Sequence, residues 1–240
     1  MIQGSVVTIL GSLAAGVAQV AIGQPLDTIK SYTQSKGWRM AWKKVKCAST
    51  GGLFRFLYRG TKFSGPNAVI NNVCVFNSYT FAKHEAGLST IESGCLAGIS
   101  ATPSAFFLDG CNIIKQVKGS NAVISPRSML LRHGLLTTGV REIVGLSAHF
   151  SAYEYSREKL GMNPLFAGGC AGLSNWTASY PIDVVRTRQI VWNASAWYVI
   201  RNLDLRAAIA AYPACAIRAI AANASVFWAY EAVQSLAIKQ

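Results

Sequence analysis

Apolar residues dominate most of the chain, but no stretch of 20 is uniformly apolar, and polar or charged positions recur inside every long apolar run. This pattern predicts six long helices near 5–34, 62–84, 91–116, 135–160, 164–189 and 212–237. Each is long enough to cross a bilayer at about 1.5 Å per residue. A helix that is apolar on one side and polar on the other fits lipid outside and a watery cavity inside. The odd-to-even connections, about 35–60, 117–134 and 190–211, are long. The even-to-odd ones, near Glu85–Thr90 and Gly161–Pro164, are short. Six crossings put both termini on one side.

The pattern repeats. Pro25-Leu26-Asp27-Thr28-Ile29-Lys30 returns as Pro181-Ile182-Asp183-Val184-Val185-Arg186. A glycine stands eleven residues before each aspartate, in Gly16–Asp27, Gly98–Asp109 and Gly172–Asp183. Small-xxx-small pairs at Ser12/Gly16, Gly94/Gly98 and Gly168/Gly172 predict close helix approach. The even helices carry Phe76–Tyr79, Phe150–Tyr153 and Phe227–Tyr230. Thr80, Glu154 or Glu231 follows each tyrosine, then Lys83, Arg157 or Gln234 three residues on. Twelve residues before these tyrosines stand Asn67, Arg141 and Arg218. The repeat boundaries fall at 1–84, 85–160 and 161–240. Repeats in membrane proteins usually surround a shared pathway.

Composition supports membrane spans. The chain is 51% hydrophobic and only 14% charged, with mean hydropathy +0.28, whereas soluble domains carry about a quarter charged residues. The formal net charge is +13. Nucleic-acid binding is set aside because the bases do not form one patch. They gather in the long connections, where they mark one side of a bilayer and attract anionic head groups. The six cysteines and three histidines lack metal-ligand spacing. No cofactor, catalytic ordering of Ser, His and Asp, or phosphate loop stands out, so an enzyme is not expected. Of 10 acidic residues, five (Asp27, Asp109, Asp183, Glu154, Glu231) fall on repeat-equivalent positions. Acids and bases ringed at two levels suggest two gates made of inter-helix ion pairs.

These residues resemble the mitochondrial carrier family. Its odd-helix signature, Pro-x-Asp/Glu-x-x-Lys/Arg, stands at Pro25/Asp27/Lys30 and Pro181/Asp183/Arg186. Its even-helix signature stands intact at Tyr153/Glu154/Arg157, and its aromatic–base–Gly motif at Tyr58-Arg59-Gly60, with Arg132-His133-Gly134 matching in the second copy. The resemblance implies an all-α membrane protein: six transmembrane helices in three pseudo-threefold repeats, forming a barrel-like bundle with short matrix helices. It implies bends at Pro25 and Pro181, and a shifted one in the second copy, where Phe107 replaces proline and Pro103 lies a turn earlier.

The resemblance also implies site roles. A matrix gate would use Asp27, Lys30, Gln34, Asp109, Asn112, Gln116, Asp183 and Arg186. Its pairs would be Asp109–Arg186 and Asp183–Lys30, braced by glutamines, with Asp27 meeting only Asn112. A cytoplasmic gate would use Tyr79, Lys83, Tyr153, Glu154, Arg157, Tyr230 and Glu231. Its one full pair would be Glu231–Lys83, with Thr80–Arg157 and Glu154–Gln234 weakened. Substrate contacts would fall at Asn67, Asn71, Arg141, Glu142 and Arg218. Arg-Glu at the middle contact is similar to the amino-acid branch, the carnitine and ornithine-type carriers. Asn71 replaces the glutamate that binds the distal amine in the ornithine type. Guanidinium groups suit a carboxylate, so a zwitterion with a neutral or weakly bound far end is expected. It would exchange with a counter-substrate across the inner mitochondrial membrane, through a multi-pass monomer with both termini toward the intermembrane space. Arg59, Gly60 and Gly134 would hold cardiolipin. Other readings are a transport-degenerate structural or regulatory membrane protein, a leak channel, or a carrier for another anionic metabolite such as a nucleotide.

Overall fold

The computed structural model describes residues 2–222 except 120, 123, 126, 128, 130, 131, 205, 207, 211, 214 and 221, and only the backbone of 2–16, 18, 19, 164 and 165. The secondary structure is helical, with no strand among the described residues. Five helical stretches match the first five predicted helices. They are α1 (Ile2–Lys36), α4 (Thr61–Thr80) with a π-helical turn at Phe81–Glu85, α5 (Thr90–Ser104) running through a second π turn (Ala105–Asp109) into α6 (Gly110–Lys118), α7 (Leu135–Glu158) and α8 (Pro164–Trp192). The connections hold short helices: α2 (Trp38–Lys46) and α3 (Thr50–Leu57) in the first, α9 (Ala196–Arg201) in the third. Most of the sixth predicted helix, near 212–237, lies outside the described residues.

Local chemistry sets the helix ends. Ser89 and Glu92 form a reciprocal capping box at the start of α5: the Ser89 hydroxyl accepts from the Glu92 amide, and the Glu92 carboxylate accepts from the Ser89 amide at 2.9 Å. Ser49 and Ser195 cap α3 and α9 in the simpler way. α4 and α7 each begin after a glycine in the left-handed region, Gly60 at φ +85° and Gly134 at φ +119°.

α1 and α8 pass through Pro25 and Pro181 as single helices. Proline has no N–H, so Pro25 leaves the Ala21 carbonyl without its helical donor. The Tyr58 hydroxyl, arriving from the end of α3, donates to that carbonyl at 3.0 Å. In the second copy the irregularity takes another form. Pro103 stays within α5, and the π turn follows it, carrying Phe107 and Asp109.

Each long helix packs on the next, and α8 also touches α1. α7 sits tightly between α5 and α8 because glycines admit bare backbone. A Cβ on Gly98 would lie 2.5 Å from the Ile143 Cα, and one on Gly94 would lie 2.6 Å from the Ser147 Cα. The predicted small-residue pair Gly94/Gly98 is therefore a backbone-to-backbone contact.

Charged and polar side chains share the interior with apolar clusters such as Phe106, Ile114 and Ile190. Gln24, Lys30, Gln34, Glu142, Asp183 and Arg186 are buried, while Val69, Ile70, Val73, Phe76, Ile99 and Leu136 are exposed. No helix among the described residues is long and apolar enough to cross a membrane by uniform hydropathy.

Candidate functional site

The three repeat-equivalent aspartates are all held by bases. Lys30 Nζ lies 2.6 Å from Asp183 Oδ2, and both side chains are buried. Gln34 Nε2 donates to the same oxygen at 3.1 Å. Arg186, only 1% exposed, meets Asp109 at 2.9 Å. Its remaining donors reach Thr138 Oγ1 at 2.9 Å and the Ala105 carbonyl at 2.7 Å. A buried guanidinium needs several acceptors, and the π turn and α7 together supply them. Gln34 thus braces its pair. Gln116 does not: it is buried, and neither amide atom has a hydrogen-bond partner.

The third joint differs from expectation. Asp27 does not rely on Asn112; its carboxylate lies 2.6 Å from Arg218 Nε. Asn112 is engaged elsewhere, its Oδ1 accepting from Gln24 Nε2 at 3.1 Å. It also packs against Gly60, where an added Cβ would collide with the Asn112 amide oxygen. A carboxylate removed from water takes whatever cation is within reach. Here that cation comes from the substrate-contact level, so the pairing rule between odd helices could not find it.

A cavity of about 420 Å³ lies among the long helices. All five expected contacts, Asn67, Asn71, Arg141, Glu142 and Arg218, line it, together with most of the aspartate ring. Arg141 pairs with its neighbour Glu142 and lies 3.7 Å from Asp183. Asn71 Oδ1 accepts from Ser104 Oγ at 3.4 Å.

The organising residue that sequence reasoning missed is Trp176 on α8. Lys30 Nζ stands 4.1 Å from its ring, and the Arg141 and Arg218 guanidinium carbons each stand 4.9 Å from it. One indole therefore gathers cations from three different segments, a role its π face suits. Trp176 lies outside the repeated motif, so no sequence signal marked it.

At the opposite end of the helices, Lys83 meets Glu154 at 3.2 Å; Glu231, its expected partner, lies outside the described residues. Thr90 joins them, accepting from Lys83 at 2.7 Å and donating to Glu154. Both charged side chains are near 30% exposed. Arg157 donates to the Met162 carbonyl at 2.7 Å. The Tyr79 ring stacks on Phe150 at 3.7 Å, and Tyr153 is exposed. Tyr230, Glu231 and Gln234 lie outside the described residues. Glu154 is held by Lys83 and Thr90, a pairing the expected Glu154–Gln234 contact did not include.

The long connections concentrate positive charge. Burial, then repulsion from Arg132 and Lys36, holds Lys118 below the usual lysine range. Arg132 Nη1 donates to the Ile190 carbonyl at 3.0 Å. The Arg59 carbonyl accepts from Gln24 Nε2 at 2.7 Å.

Residues 161–240 match the family model described as mitochondrial carrier protein. The mouse protein "Mitochondrial ornithine transporter 1" is 26% identical, over 95% of this chain and 93% of its own length. An Arabidopsis thaliana "Mitochondrial carnitine/acylcarnitine carrier-like protein" is 27% identical, over 92% of this chain and 94% of its own. The human "Mitochondrial basic amino acids transporter" is 25% identical, over 75% of this chain and 70% of its own. The family match in the last third agrees with relatives that align along most of the chain, so the chain is similar to mitochondrial carriers over its length.

Proposed function

We propose that this protein exchanges a small carboxylate-bearing metabolite, an amino acid or related zwitterion, for a counter-substrate across the inner mitochondrial membrane by alternating access. The observation that carries this reading is the convergence of Lys30, Arg141 and Arg218 on Trp176 at the wall of the central cavity. Two guanidinium groups held near one indole would receive a carboxylate by exchanging their Glu142 and Asp27 partners for it. Relatives named for ornithine, basic amino acids and acylcarnitine bear on the same chemistry.

The wider reading follows the family. Six membrane-crossing helices, in repeats at 1–84, 85–160 and 161–240, would surround the cavity in pseudo-threefold fashion. Apolar outward faces and buried inward charge support lipid on the outside. Asp109–Arg186 and Asp183–Lys30 would form a matrix gate braced by Gln34, and Lys83–Glu154 part of a cytoplasmic gate. Both termini would face the intermembrane space, Arg59, Gly60 and Gly134 would hold cardiolipin, and the carrier would act as a monomer.

The test is uptake by proteoliposomes loaded with an amino-acid panel. Arg141→Ala and Arg218→Ala should each abolish exchange while the purified variants keep their helical spectrum. Near-normal uptake by both would remove these residues from the binding site. Uptake that needs no internal solute would indicate a leak, and no uptake of any solute by the wild type would favour a structural role.

A further inference from the structure

Four ion pairs line the cavity, and they face it to different degrees: Asp27 with Arg218, Asp109 with Arg186, Glu142 with Arg141, and Asp183 with Lys30. Three of them have one partner closed off, since the side chains of Arg186, Asp183 and Glu142 are only 1%, 2% and 7% exposed. In the fourth both partners stay open, Arg218 at 20% and Asp27 at 21%, joined by a contact from Nε to Oδ1 at 2.6 Å. This is the pair whose acid and base are both presented to a solute in the cavity.

Asp27 also stands outside the proposed matrix gate. At the repeat position where its two counterparts meet a base it has Asn112, which is uncharged and accepts from Gln24 Nε2 at 3.1 Å. Gln24 Oε1 accepts in turn from Ser64 Oγ at 2.6 Å. These neutral groups join α1, α4 and α6 without using Asp27. Lys30, the nearest base along α1, is held 2.6 Å from Asp183. Among the described residues no base other than Arg218 contacts the Asp27 carboxylate. When Arg218 turns to a substrate carboxylate, it therefore releases an anion with no second cation to receive it. Such an anion inside a protein is costly until a cation arrives. The α-ammonium of an amino acid is bonded to the carbon next to that same carboxylate, so it arrives in the same step. One internal pair becomes two pairs with the substrate, and the net charge of the wall is unchanged. A carboxylate without an α-amine strands Asp27 and places a second anion beside it.

We propose that Asp27 is a substrate residue rather than a gate residue: it binds the α-ammonium of the zwitterion whose carboxylate Arg218 takes. This assignment rests on the amino-acid exchange proposed above. The test is ligand stabilisation of the purified protein in detergent, read as the concentration that gives half the maximal rise in melting temperature. The probes are L-glutamine and L-ornithine, each beside the compound that lacks only the α-amine, glutaramate and δ-aminovalerate. The wild type should hold an amino acid at least ~10-fold more tightly than its deamino partner, the scale of one charge-assisted hydrogen bond. Asp27→Asn should remove that preference, and Asp27→Glu, which keeps the charge, should retain it. A preference that survives Asp27→Asn overturns the assignment. So do deamino compounds held as tightly by the wild type, or a preference lost in Glu142→Gln, whether or not Asp27→Asn folds. Each of these leaves carboxylate binding standing. Stabilisation by none of the four compounds overturns both.

Discussion

The two charged levels of this protein are built differently. At the aspartate ring, Arg186 is almost wholly buried and spends its donors on Asp109, Thr138 and Ala105, while Asp183 takes both Lys30 and Gln34. At the other end, Lys83 and Glu154 are about one-third exposed and share a single threonine. Ion pairs near water contribute little, whereas breaking a buried pair strands a charge. The first level therefore resists opening from several sides, and the second can part and re-form at small cost.

The largest effect expected from this contrast is on Arg186. Arg186→Met should lower stability by about 3–5 kcal/mol, since it leaves Asp109 and two acceptors unmatched, read as thermal unfolding in detergent. A loss no greater than that of Lys83→Met would erase the distinction between the levels. Next comes exchange of charge. Asp109→Arg combined with Arg186→Asp should keep more transport than either Asp109→Ala or Arg186→Ala, and equal damage from all three would argue that the pair does not act as a pair. Smaller effects separate the two glutamines. Gln34→Leu should cost about 1 kcal/mol, the typical net worth of one hydrogen bond. Gln116→Leu should be near neutral, because its amide has no partner to lose. Smallest is Lys83→Met, at about 0.2–1 kcal/mol, measured in low salt, where exposed pairs are strongest.

Long apolar runs broken by polar positions found the five described long helices, since such runs are written locally. The family resemblance pointed to the pairs of Asp109 with Arg186 and Asp183 with Lys30, because acid and base both belong to the signature it rests on. The partner of Asp27 was hidden for the complementary reason. Arg218 belongs to a different motif, on a segment distant in sequence, and only packing brings it near. Trp176 was invisible on the same grounds: an indole among apolar residues gives no hint that three cations will surround it. Lys83 illustrates a third case. The repeat rule offered Glu231, but Thr90 stands at the start of α5 where it can tie Lys83 to Glu154, and such a bridging hydroxyl has no place in a charge-pairing rule.

The bond from Tyr58 to the Ala21 carbonyl has a consequence for how the repeated motifs read as a grammar. Pro25 deprives a carbonyl of its donor, and a hydroxyl from the following loop helix restores one. Proline and tyrosine are then two halves of one word rather than two separate letters. Within this single chain the three copies spell it three ways: Pro25 with Tyr58, Phe107 with Arg132, and Pro181 with Ile209. The first keeps both halves and the second lacks both. Only the third keeps the proline without a tyrosine at that step, and there another one answers: the Tyr212 hydroxyl meets the Thr177 side chain, one turn before Pro181, at 2.8 Å.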